Sequence, residues 1–236
     1  MTQPQRTALV TGSTSGIGKA IARALQDDGV HVLRHGFRNA HADGTTLRED
    51  LTQPGAGRRL AEAALAEAGA VDILVLSASL QIRASWDAID AEDAEGQFRA
   101  NVICSLELIQ GLAPGMLERG WGRILTLGSV QEAVPHPEMA VYAASKAAQA
   151  NLVRNLAKQF AGRGVTVNNL APGVIGTPRN DDALADPAYL ARVMSGIPAG
   201  RIGTVEDCVG IALLLCSEHG AYLTGQTLFV DGGMSL

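Results

Sequence analysis

The sequence predicts an α/β fold, a single parallel sheet wound with helices on both faces. Three observations lead there. Short runs rich in β-branched residues and leucine alternate with alanine-rich helical stretches along the whole chain. A loop of spaced glycines, Thr11-Gly-Ser-Thr-Ser-Gly16-Ile-Gly18, follows the first strand-like run and opens the first helical one. The length, 236 residues, suits one large α/β domain spanning residues 1–236, with no repeat, low-complexity tract or linker.

Taken in order, the first strand is expected at Thr7–Val10 and the first helix from near Ile17. A second strand follows at His31–His35, a weaker one near Thr45–Leu47, and a helix from near Gly57. Ile73–Leu76 is a short apolar strand. The helical pattern from near Glu92 carries Pro114, which lacks an N–H and is expected to kink or shorten the helix rather than mark a domain boundary. Ile124–Leu127 and Val165–Leu170 read as strands flanking a long helix from about Ala140 to Ala161. Pro178–Arg201 is polar, with Asp181, Asp182 and Asp186 and no strong periodicity, and reads as a mobile lid. A helix from Val205 and a strand at Thr227–Val230 complete the alternation.

Composition narrows the function. Nearly half the residues are apolar but only 4% are aromatic, so the core must be built from Ala, Val, Leu and Ile. The net charge of −5 with no basic block argues against a nucleic-acid partner. The three cysteines, Cys104, Cys208 and Cys216, are odd in number and lack metal-ligand spacing, so no metal site is expected and buried thiols in a reducing compartment are. No apolar run approaches the ~20 residues that span a bilayer, and the first residues carry no apolar signal region. A cytoplasmic enzyme is the expectation.

Two constellations carry chemistry. In Tyr142-Ala-Ala-Ser-Lys146 the phenol and the ammonium lie four residues apart, one turn apart on one helix face. An ammonium beside a phenol lowers a pKa that is otherwise near ~10, and such a tyrosine can exchange a proton with an alcohol or carbonyl oxygen. Ser129, thirteen residues earlier, can hydrogen-bond the same oxygen. The glycine loop is a dinucleotide cradle of the Rossmann kind. Gly12 permits the tight turn, Gly16 lets the backbone approach a pyrophosphate, and Gly18 allows close helix–strand packing. Ser13, Ser15 and Ile17 complete the loop, and the helix N-terminus offers amides to phosphates.

The glycine spacing with Ser129, Tyr142 and Lys146 resembles the short-chain dehydrogenase/reductase family, from about Thr7 to Gly233. The resemblance implies a nicotinamide-dependent oxidoreductase that interconverts a secondary alcohol and a ketone. Tyr142 would be the general acid/base, Lys146 would lower its pKa and hold the nicotinamide ribose, and Ser129 would steady the reacting oxygen. Asn101 matches the family's fourth catalytic residue, which supports a water in a proton relay. Asp50 and Leu51 match the residues near the adenine, although a strand-end cap is the other reading of Asp50. Pro172, Gly173, Ile175 and Thr177 resemble the segment that grips the nicotinamide carboxamide. One departure stands out: Leu76-Ser77-Ala78-Ser79 replaces the family's Asn-Asn-Ala-Gly, so Ser79 adds a side chain beside the expected cofactor ribose.

Within the family the likeness runs towards 3-hydroxybutyrate dehydrogenases, through Gly36-Phe37, Gly120–Arg123 and Gln81. Gln131 and Met139 stand where those enzymes carry a carboxylate-binding histidine and lysine. With Gln81, Gln131, Arg179 and Asn180 as the expected substrate contacts, a neutral polar ketone or polyol-like alcohol is favoured over an acid. Gln81 and Gln131 could equally line a solvated cleft. The second strand ends in Arg34-His35-Gly36-Phe37-Arg38, with no carboxylate to repel a 2′-phosphate. Within NAD(P), this slightly favours NADP(H) over NAD(H), with Arg38 and Arg34 as phosphate partners. Family resemblance implies a homotetramer, and Ala143, Ala144, Ala147 and Ala148 form a small-residue face that would suit it or would pack on the sheet. A non-catalytic dinucleotide sensor or scaffold is the alternative reading; the intact glycine cradle argues against a lyase or dehalogenase.

Overall fold

The computed structural model describes residues 5–37 and 46–236. Seven parallel strands form one sheet: β1 (Thr7–Thr11), β2 (His31–Gly36), β3 (Thr46–Arg48), β4 (Ile73–Leu76), β5 (Gly122–Leu127), β6 (Val165–Pro172) and β7 (Thr227–Val230). Their order is β3-β2-β1-β4-β5-β6-β7, so the winding reverses between β1 and β4. At that switch point the strand ends splay into a crevice, the place where open α/β sheets bind ligands.

The strands are short apolar runs because both faces are covered. Side chains alternate across each strand. Leu9, Leu74 and Leu76 join a core beneath α2 (Ala56–Ala68), α4 (Cys104–Arg119) and α5 (Ala140–Phe160). Ala8, Val10, Ile73 and Val75 join the opposite core beneath α1 (Gly16–Asp27) and α8 (Val205–Cys216). All three cysteines are buried and free, and burial pushes each thiol up to about 12, so none is a reactive thiolate.

Several boundaries differ from expectation. β5 and β6 extend past the expected runs because Gly122, Arg123, Ala171 and Pro172 still pair with their neighbours. Pro114 does not shorten its helix, since α4 runs on to Arg119 and ends at Gly120, whose φ of 68° suits glycine. Upstream of α4, α3 (Ala91–Phe98) passes through one π turn at Arg99–Ile103 without a break. The resulting 29-residue helix is long and apolar enough to cross a membrane by composition, yet half of its apolar stretch is buried inside the protein. Leu108, Ile109, Leu112 and Met116 are among the residues it places in the core. The polar segment expected as an irregular lid contains two short helices, α6 (Asp181–Leu184) and α7 (Pro187–Ser195). Asp186 caps α7 by accepting from the Ala188 N–H, and Pro187 occupies its first turn.

Candidate active site

The glycine loop lies against the turn after β4, and sterics fix which residues can be there. Gly12 has φ of 64°, and a Cβ on it would sit 2.9 Å from the Ala78 backbone. A Cβ on Gly18 would approach the Gly12 carbonyl oxygen to 2.5 Å and the Ser77 hydroxyl to 2.7 Å. The Thr11 hydroxyl holds that turn by accepting from the Ser77 and Ala78 N–H groups at 3.0 and 3.1 Å. The buried His35 imidazole ties the loop to the end of β3, accepting from the Gly12 N–H at 3.3 Å while its other nitrogen meets the Glu49 carbonyl at 3.0 Å. Desolvation lowers the His35 pKa, which keeps the ring neutral for both contacts.

From this loop a cleft of about 640 Å³ runs to Tyr142. Gly12, Ser15, Gly16, Ile17, Gly18, Phe37, Asp50, Leu51, Ser77, Ala78 and Ser79 line it, as do Pro172, Gly173, Ile175 and Thr177. No acidic residue occupies the first turn of α1, and its N-cap Ser15 makes no side-chain cap, which leaves the helix N-terminus open to an anion. The residues present therefore fit a dinucleotide. Ser13 does not line the cleft: its hydroxyl is buried and exchanges hydrogen bonds with the His35 backbone at 2.9 and 3.3 Å. Arg34 also turns inward, donating to the Ser13 carbonyl at 3.0 Å. Arg38 lies outside the described residues. Asp50 accepts from the Thr52 N–H and hydroxyl at 3.0 and 2.8 Å, so it caps a turn as well as lining the cleft. The Ile175 carbonyl accepts from the Asn180 side chain at 2.8 Å, which fixes the segment leading to α6.

At the far end the four expected catalytic residues come together in two layers. Ser129 and Tyr142 line the cleft. Behind them, Lys146 donates to the Leu127 carbonyl at 2.6 Å and to Gln149 at 3.1 Å. Asn101 is fully enclosed within the π turn; its Oδ1 accepts from the Leu80 N–H at 2.8 Å and its Nδ2 donates to the Leu80 carbonyl and Ser145 hydroxyl, both at 2.9 Å. Sequence reasoning missed Gln149, Ser145 and Glu132. Glu132 accepts from the Ser129 N–H at 3.0 Å and from the Asn169 amide at 3.0 Å, so a half-buried carboxyl group braces the serine. A carboxylate three residues after a serine is the capping-box spacing, a signal that was there to be read.

In the empty site burial sets the direction of both the Tyr142 and the Lys146 pKa. Burial raises the Tyr142 pKa above its ordinary value; Arg179 and hydrogen bonds with Ser129 and Ser79 pull it down without overcoming burial, and Glu132 adds to the rise. Lys146 is buried on the same helix face. It sits 5.9 Å from the Tyr142 ring centroid, and burial, helped by Arg179, lowers its own pKa to about 7 against an opposing pull from Glu132. The charge that favours the phenolate comes from Arg179, which donates to the Ser79 hydroxyl at 2.8 Å and to the Ser79 carbonyl at 2.9 Å across the cleft. The serine that departs from the family pattern thus anchors an arginine whose charge reaches the Tyr142 phenol. Gln81, Gln131, Arg179 and Asn180 all line this end, joined by Arg83, Met139 and Tyr189.

A nucleotide-binding crevice that ends in a serine, a tyrosine and a buried lysine defines a nicotinamide-dependent oxidoreductase. A family model described as enoyl-(acyl carrier protein) reductase matches residues 12–235, and the chain belongs to the short-chain dehydrogenase/reductase family. It is 34% identical to 3beta-hydroxysteroid dehydrogenase 1 of Eggerthella lenta, over 98% of this chain and 94% of that protein. A crystal structure of a 3-oxoacyl-(acyl-carrier-protein) reductase from Agrobacterium tumefaciens with NADP bound is 42% identical, with a TM-score of 0.90 over 97% of this chain and 93% of that one. A gluconate 5-dehydrogenase from Burkholderia cenocepacia in complex with NADP and tartrate is 33% identical, with a TM-score of 0.90 over 98% and 95%. The chain is accordingly a dehydrogenase/reductase acting on CH–OH or keto groups. Its relatives' names span a steroid, an acyl chain and a sugar acid, so the family fixes the chemistry and leaves the substrate to the pocket.

The buried lysine has a consequence for stability. Its folded value of about 7 lies below the ordinary 10.5, so between these values the unfolded chain holds more protons and the empty enzyme gains stability as pH rises. Below about 7 the destabilisation is complete. Lys146→Met is expected to flatten that rise, seen as a smaller increase in the urea midpoint from neutral to alkaline pH than in the parent. Parallel curves would show that Lys146 keeps an ordinary pKa.

Proposed function

We propose that the enzyme interconverts a secondary alcohol and a ketone with Tyr142 as the general acid/base and with NADP(H) preferred over NAD(H). The observation that carries this reading is the Tyr142 phenol at the end of the nucleotide cleft, with Ser129 beside it and Lys146 and Asn101 behind. When bound, the nicotinamide supplies or accepts the hydride. Ser129 holds the substrate oxygen by hydrogen bond. Tyr142 gives its hydroxyl proton to that oxygen in reduction and takes it back in oxidation. Lys146 spends two donors on Leu127 and Gln149, and its protonated form keeps a third for the ribose and the phenol. Asn101 spends its amide on Leu80 and Ser145, which makes it the brace of the site.

Support for NADP(H) comes from the second strand, which ends at Gly36-Phe37 without a carboxylate, and from the NADP named with the two crystal structures. Arg48 stacks 5.7 Å from the Phe37 ring, adding positive charge at the adenosine end. Tyr142→Phe keeps the ring and its packing, and is expected to lower kcat by about a hundredfold or more while NADPH affinity is retained. In the parent, kcat/KM is expected to be higher with NADPH than with NADH. Turnover of the variant within about tenfold of the parent would remove Tyr142 from its role.

The assembly proposed is a homotetramer in a reducing cytoplasm, the latter on the strength of three free thiols. On α5 the sheet face is Tyr142, Ser145, Lys146, Gln149, Ala150, Val153 and Ala157. Ala144 and Ala147 are exposed and Ala143 and Ala148 half-buried, so the small-residue face points away from the sheet. Phe98 and Ile103 add exposed apolar surface near the π turn. Light scattering at micromolar concentration is expected to give four times the 24.5 kDa chain mass; a monomer would contradict the assembly.

A further inference from the structure

The charges lining the cleft are sorted by position. Its acids, Glu49 and Asp50, follow β3 at the adenosine end, whereas Arg83 and Arg179 lie at the Tyr142 end. Among the described residues, Arg59, Arg119 and Arg201 each have a carboxylate partner, but no carboxylate lies within 4.0 Å of Arg83, Arg179 or Arg192. Their contacts are with neutral groups. Arg179 forks onto the Ser79 hydroxyl and carbonyl. Arg83 donates to the Tyr189 hydroxyl at 3.2 Å, and Arg83 and Arg192 lie 5.3 and 5.2 Å from the Tyr189 ring centroid. The resulting positive field reaches neighbouring groups: after desolvation, Arg83 and Arg192 push the His136 pKa down while Glu138 opposes them. Uncompensated guanidinium groups held on an aromatic face are suited to forked recognition of a carboxylate.

A second, independent observation lies on the wall behind Ser129. The Gln131 Oε1 is buried and has no hydrogen-bond partner, although Gln131 lines the cleft. A buried acceptor left unpaired costs ~1–3 kcal/mol, and a substrate hydroxyl is the donor that would relieve it.

We infer that this cleft takes a hydroxy or oxo carboxylic acid, its carboxylate gripped by Arg179 and Arg83 and a hydroxyl donated to Gln131. The inference rests on the alcohol–ketone reading above and names the substrate class for it. It also reverses the preference for a neutral substrate that the sequence suggested from Gln131 and Met139. The sequence showed the missing histidine and lysine of the 3-hydroxybutyrate enzymes, but not that Arg179 folds back onto Ser79, nor that Arg83 lines the same cleft.

The test compares acetoacetate with acetoacetamide, and 5-keto-D-gluconate with D-fructose, in NADPH-dependent turnover by the full-length enzyme. In at least one pair the acid is expected to have the higher kcat/KM by about tenfold or more. Arg179→Gln and Arg83→Gln should each shrink that ratio by about tenfold, mainly through KM. Equal or better turnover of the neutral partner in both pairs would overturn the inference. So would an unchanged ratio in Arg179→Gln together with weaker NADPH binding, since the guanidinium would then serve the cofactor pyrophosphate. If no ketone is turned over, the proposed function fails, and calorimetry on the NADP-saturated enzyme decides the anion site separately. Binding of gluconate, 3-hydroxybutyrate or tartrate that is lost in Arg179→Gln would sustain it, and no binding of any of the three would overturn it.

Discussion

The active site depends on one buried side-chain amide. Asn101 is fully enclosed and reaches Leu80 and Ser145 only because the long helix widens into a π turn at Arg99–Ile103. π turns inside helices are frequent at functional sites, and here the reason is geometric. The wider turn aims the amide at the backbone of the segment after β4, pairing with both its N–H and its carbonyl. Ser145 donates in turn to the Tyr142 carbonyl at 2.7 Å. One amide thus locks the segment after β4 to the helix that carries Tyr142. Leaving such a group unpaired in the interior would cost ~1–3 kcal/mol, which makes the arrangement close to all-or-none.

Burial then sets the protonation states. It holds Tyr142 towards the phenol and Lys146 towards the amine, with Arg179 and Glu132 as the charges that modulate both. The two modulators are anchored differently. Glu132 is fixed behind Ser129 by Asn169, whereas Arg179 belongs to the segment leading into α6 and reaches the site through Ser79. The position of that segment therefore controls the field at the phenol. This joins the segment leading into α6, the departure at Ser79 and the Tyr142 phenol in one set of interactions.

Much of the fold was legible because it rests on local patterns. Buried parallel strands show as apolar runs, and Ile73–Leu76 and Thr227–Val230 fall where the runs do. Gly12 and Gly18 were legible because no other side chain fits beside Ala78 and Ser77. The rest depended on contacts distant in sequence. Nothing in the chain marks His35 as the partner of Gly12, or Thr11 as the anchor of Ser77 and Ala78. Ser13 was assigned to the cofactor by its place in the loop, but the close approach of β2 turns its hydroxyl inward. The short helices α6 and α7 span too few turns to show a period. The Tyr142–Lys146 spacing correctly put both groups on one face, yet it could not show that Lys146 would spend its donors on Leu127 and Gln149.

The balance at Tyr142 can be measured directly. The pH dependence of phenolate absorbance, taken as the parent minus Tyr142→Phe, isolates this residue from Tyr189 and Tyr222. In the empty enzyme the phenol is expected to titrate above its ordinary 10.0, because burial outweighs Arg179 and the serine hydrogen bonds. A midpoint below 10.0 in the empty enzyme would mean that the neighbouring charge and hydrogen bonds outweigh desolvation, and would contradict the control of this site by burial.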